Sequence, residues 1–183
     1  GGSCYDILQF SFNQGFKDEV VISTIIHDVV SCLNYMHSNG QVHKQIRSSN
    51  ILISKDGEVK VANFGLATSL LEELSSDPNK KKIVGITAYL PPEAINGAPL
   101  TSSSDIWSLG ITAIELATGS TPYGSDDPVE QIKLITNNSP PQLPSTFSQE
   151  FQDFVKQCLA FDADKRPTAS TLLNHPFLTK ASS

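Results

Sequence analysis

"GQVHKQIRSSNILIS", residues 40–54, is the stretch on which the fold turns. A histidine and a short polar run lead to an asparagine, and an apolar "ILI" follows at once. That order describes polar side chains held on a loop and anchored by a strand. The "ILIS-KDG-EVKVA" that continues it reads as a β-hairpin, with strands Ile51–Ser54 and Glu58–Ala62 joined by a turn at Asp56-Gly57. On the N-terminal side, Ile22, Ile25, Val29, Leu33 and Met36 recur at helical spacing from Asp18 to His37, and Gly40 stops that helix.

Further outward, residues 63–93 show little periodicity and include the polar, basic run "SSDPNKKK". Loops of this length inside a compact domain are usually functional or mobile. "TSSSDIWSLGITAIELATG" follows. Ser102 or a neighbour caps a helix whose apolar residues, among them Ile106, Trp107, Leu109, Ile111 and Leu116, cover nearly its whole girth. Such a helix belongs in the middle of a domain, and Gly119 ends it. Helices are also expected near Pro128–Asn137, over "SQEFQDFVKQCLAFD" and near Thr168–Asn174. The sum is mainly α with one small hairpin, and no segment reads as an inter-domain linker or a repeat.

Composition narrows the function classes. The chain has 183 residues, enough for one domain with a real core. A net charge of −6 gives no electrostatic support to a nucleic-acid partner. No apolar run approaches the length that crosses a bilayer, so membrane insertion is not expected. The three cysteines are odd in number and far apart, which fits a reduced, cytoplasmic protein better than a disulfide framework or a zinc site. The opening "GGSCYD" lacks a methionine and a signal-peptide pattern and reads as a cut through a larger protein.

Five motifs line up in order. "VHKQIRSSN" resembles the protein-kinase catalytic loop H-R-D-x-x-x-x-N, "ANFG" resembles D-F-G, and "PPE" at 91–93 resembles A-P-E. "DIWSLG" and "DADKRPTASTLLNHPFL" are similar to two later kinase segments. The wording "SDIWSLGITAIELATGSTPY" resembles most the sterile-twenty group of serine/threonine kinases, especially its germinal-centre and stress-responsive branches, and the related pseudokinase adaptors. The resemblance implies that residues 1–183 are the C-terminal lobe of the kinase fold, with an activation segment at 63–93 and no N-terminal lobe. That lobe would supply the glycine-rich loop, the strand lysine and its glutamate partner.

Carried over residue by residue, the resemblance implies a frame that is kept and chemistry that is lost. His43 takes the place of the structural motif histidine. Lys44 stands where the family has an arginine that grips a phosphorylated activation segment, and lysine lacks the bidentate fork. Gln45 stands where the catalytic aspartate accepts a proton, which an amide cannot do; losing a general base typically costs ~10²–10⁴ in rate. Arg47 falls at the lysine that contacts the transferred phosphate. Asn50 is retained as one metal ligand, and Asn63 replaces the metal-binding aspartate. Mg²⁺ favours carboxylates and phosphates, so two neutral amides imply weak or lost metal binding. Phe64 and Gly65 keep the local hinge. Ile86 replaces a threonine whose hydroxyl bonds the catalytic set, and Lys82 stands about where an activating threonine is expected. Asp105 is expected to bond the catalytic-loop backbone, and Glu93 to pair with Arg166.

The resemblance therefore implies ATP and Mg²⁺ as the family's cofactors, with weak binding expected of this chain without the N-terminal lobe. It points to a catalytically impaired pseudokinase, a scaffold or allosteric regulator of another protein such as an active kinase. The alternative is an active sterile-twenty serine/threonine kinase using unusual residues.

Overall fold

The computed structural model describes residues 1–63, 87–124 and 127–179. Phe64, Gly65, Lys82 and Ile86 lie outside them. The described residues are mainly helical, with one small antiparallel sheet, as expected of the C-terminal lobe.

The expected hairpin is present as β2 (Ile51–Ile53) and β3 (Val59–Val61), in the register Leu52 opposite Lys60. It carries a third strand that the sequence did not announce. β1 (Gly2–Ser3) pairs with β2, placing Ser3 opposite Leu52 and making the sheet order β1-β2-β3. Two residues are too few for alternation to register. Directly after β1, α1 (Cys4–Ser11) starts on a capping box. The Ser3 hydroxyl accepts from the Asp6 amide at 3.1 Å, and the Asp6 carboxylate accepts from the Ser3 amide at 3.3 Å. Only Cys4 and Leu8 of α1 are buried, which is too sparse a stripe to read as a helix.

α2 (Glu19–Ser38) begins where the periodicity places it, with Asp18 accepting from the Val20 amide at 2.8 Å. It buries Ile22, Ile25, Ile26, Val29, Val30, Leu33 and Met36. After residue 87 come α3 (Pro92–Ile95) and α4 (Ser102–Thr118), the latter capped by Thr101. Every residue of α4 from Ser104 to Ala117 is buried, so this helix is the spine of the domain. Gly119 ends it in the left-handed conformation at φ 84°. A Cβ there would lie 2.3 Å from the Asn13 carbonyl oxygen, so glycine is required by space as well as by conformation.

α5 (Pro128–Asn137), α6 (Gln149–Cys158), α7 (Ala169–Leu172) and α8 (Pro176–Thr179) complete the chain. α6 packs on α4, while α2 packs on α4, α7 and α8. Phe151 stacks on Phe177 with ring centroids 4.1 Å apart. The Ser148 amide donates to Glu19 at 2.7 Å, tying the start of α6 to the start of α2. These elements share one apolar core, and α4 presents its N-terminal turns to the loop at 43–50.

Candidate functional site

The loop at 43–50 hangs on one buried carboxylate. Asp105, 1% exposed on the first turn of α4, accepts three hydrogen bonds. The Lys44 amide donates at 2.7 Å to Oδ1. The His43 amide donates at 2.8 Å to Oδ2, which also meets His37 Nε2 at 2.9 Å. Lys44 lies in the left-handed region at φ 71°. An L-residue is disfavoured there, and the bond to Asp105 holds its peptide in place.

His43 is fully buried and fixed as one tautomer. Nδ1 accepts from the Gln45 amide at 3.2 Å, which leaves the ring proton on Nε2 to donate to the Ala62 carbonyl at 3.1 Å. Burial lowers its pKa against the opposing pull of Asp105, in keeping with a neutral ring. Through this imidazole the loop is joined to the end of β3.

Gln45 is half-buried, and its main-chain carbonyl accepts from Asn50 Nδ2 at 2.8 Å. That bond turns Asn50 Oδ1 toward Asn63, whose Nδ2 donates to it at 2.7 Å. Asn63 is also left-handed, at φ 65°, a conformation that asparagine tolerates better than most residues. The Ala62 amide bonds the Asn50 carbonyl at 2.8 Å. The side-chain amides of Asn50 and Asn63 and the main-chain carbonyl of Gln45 thus form a neutral hydrogen-bonded chain. This set does not fit a Mg²⁺ ion: it holds no carboxylate, and Asn50 Oδ1 already accepts an N–H. Among the described residues, no group of three or more His, Cys, Asp or Glu gathers as a metal site.

Arg47 is half-buried, and its Nε is buried with no hydrogen-bond partner among the described residues. Its guanidinium acts through space on Glu115 and Tyr89. Glu115 belongs to this site and was not anticipated from the sequence. It lies on α4, 4% exposed, accepting from Ser48 at 2.8 Å and from the Tyr89 hydroxyl at 2.6 Å. Burial raises its pKa against the hydrogen bonds that favour its anion, and burial first, then Glu115, raises that of Tyr89 well above its usual value. A lone glutamate inside the apolar "ITAIELA" was the available signal, since charges are almost never buried unless partnered. His37 carried none, being one polar residue near a helix end.

Glu93 and Arg166 meet in a bidentate pair at 2.7 and 2.8 Å. The guanidinium also donates to the carbonyls of Ala160, Ser103 and Phe161, so all five of its N–H groups are used. It lies 5.0 Å from the Trp107 ring centroid. This pair ties α3, at the end of the 63–93 segment, to the α4 spine.

Comparison with known proteins identifies the family. The protein kinase domain model matches residues 1–178. The chain is 38% identical over 184 residues to the serine/threonine-protein kinase fray2 of Dictyostelium discoideum, covering 98% of this chain and 18% of that protein. It is 42% identical over 181 residues to the serine/threonine-protein kinase ppk11 of Schizosaccharomyces pombe, covering 98% and 56%. To the serine/threonine-protein kinase pakB of Dictyostelium discoideum it is 40% identical over 183 residues, covering 99% and 21%. In each case the match takes in nearly all of this chain and well under two thirds of the relative.

Proposed function

This chain belongs to the protein kinase family, and from that premise we propose that it acts by binding, as a catalytically impaired pseudokinase module of the sterile-twenty type. We read residues 1–183 as a C-terminal lobe that scaffolds or allosterically regulates a partner protein in the cytoplasm, such as an active kinase. No helix among the described residues is long and apolar enough to cross a membrane.

The carrying observation is that the described residues of the loop offer no proton acceptor. Gln45 is an amide, the Asp105 carboxylate is buried under three donors, and both ring nitrogens of His43 are engaged. Phosphoryl transfer depends on positioning and charge, with a carboxylate to take the hydroxyl proton and Mg²⁺ to neutralise the phosphates. The loop keeps the positioning frame without a free carboxylate at 45 or 63.

The test is phosphotransfer by the longest natural polypeptide carrying this sequence, with Mg²⁺ or Mn²⁺ and a basic protein substrate. A Gln45→Asp, Asn63→Asp double variant runs beside it. The expected result is no transfer by the natural protein. Transfer that is lost in Asn50→Ala would establish the second reading, an active serine/threonine kinase. What favours that second reading is the loop frame, pinned by Asp105 as a working loop would need, together with the names of the relatives.

A further inference from the structure

The order of donors and acceptors in the amide chain leaves little freedom. Asn50 Nδ2 must face the main-chain carbonyl of Gln45, so Oδ1 must face position 63, so position 63 must present a donor. A carboxylate placed there would set two acceptors 2.7 Å apart, one of them charged. Such a contact holds only when a proton or a cation lies between the oxygens, and otherwise the side chains separate. The amide N–H of Asn63 supplies the partial positive charge that a bridging cation would supply.

We propose that Asn63 is a built-in replacement for a divalent cation. It fixes residues 62 and 63 against the loop without requiring a metal. The inference rests on the binding reading above and adds how residue 63 is held against the loop. Three contacts are made at once: Asn63 to Asn50 through side chains, the Ala62 amide to the Asn50 carbonyl, and His43 to the Ala62 carbonyl. Asn63 meets them in a left-handed backbone that asparagine tolerates. The side chain at position 63 therefore decides whether this junction depends on a cation: an amide closes it alone, and a carboxylate requires an ion.

The experiment is thermal unfolding of the full 183-residue chain in EDTA and in millimolar Mg²⁺, for the natural sequence, Asn63→Asp and Asn63→Ala. The natural chain should melt at the same temperature in both. Asn63→Asp should melt lower in EDTA and recover with Mg²⁺. Asn63→Ala should melt lower in both, because it loses the donor without gaining a charge. Where a variant does not fold, NMR of the natural chain decides: added Mn²⁺ should leave the Asn50 and Asn63 side-chain amide signals unbroadened. A melting temperature of the natural chain that rises with Mg²⁺, or Mn²⁺ broadening of those two amides, would overturn the proposal. So would an Asn63→Asp variant as stable in EDTA as the natural chain. A cation response without phosphotransfer defeats only this inference, whereas phosphotransfer without a cation response at these amides defeats only the reading beneath it.

Discussion

Asp105 and Arg166 show how single side chains hold the loop and the segment end. Each is buried and charged, and each is matched donor for acceptor, the condition under which a buried charge does not oppose folding. Asp105→Asn keeps the shape but turns an NH₂ toward a backbone N–H at 43 or 44. We expect a loss of about 1–3 kcal/mol in urea unfolding and faster hydrogen exchange at those two amides. Arg166→Lys keeps the charge but replaces five fixed donors by three on a flexible stem. It should leave carbonyls of Ala160, Ser103 or Phe161 unbonded and Glu93 held at a single point, at a cost of about 2–4 kcal/mol in the same assay.

At the scale of elements, α4 organises the rest, and two of its residues allow direct tests. Gly110 sits where α4 crosses the end of α6, and a Cβ there would lie 2.7 Å from Leu159 Cδ2 and 2.9 Å from Cys158 Cβ. Gly110→Ala should therefore force the helices apart and cost about 1–3 kcal/mol, although alanine is the better helix former. Glu115 binds two neighbours to α4, Ser48 of the loop and Tyr89 of the turn at 87–89. Its folded pKa is raised above the ordinary 4.5, so the folded state holds the proton more tightly than the unfolded chain. The resulting stability is fully present below the unfolded value and is lost as pH rises through the folded one. The advantage of the natural chain over Glu115→Gln should thus be largest in acid and shrink with rising pH. Urea midpoints of both proteins across that range give the answer, and an advantage that grows with pH would contradict the assignment.

Across the whole molecule, one continuous core joins α2, α4, α6 and the C-terminal helices, so unfolding should be a single event. The one tryptophan, Trp107, is fully buried at the centre of that core and reports on it directly. Phe154→Ala should lower stability by about 3–5 kcal/mol. Trp107 fluorescence and far-UV circular dichroism should shift together, and separate transitions would show that α6 and α8 form a unit of their own. The long helices and the hairpin were legible in the sequence because each repeats a pattern over many residues or ends in a turn with its own chemistry: Asp18 before α2, Gly119 after α4, Asp56-Gly57 between β2 and β3. The identities of Gln45, Asn50 and Asn63 were equally plain, since chemistry resides in residue type. What the sequence could not supply was direction. The third strand, the Glu115 link, the His37 contact and the amide chain each join residues far apart in the chain or too few to form a period. Whether the Asn50 side chain faces a metal or the Asn63 amide depends on where the Gln45 carbonyl points. That is set by a left-handed peptide at Lys44, held by a carboxylate 61 residues away on another helix, and only the folded packing brings the two together.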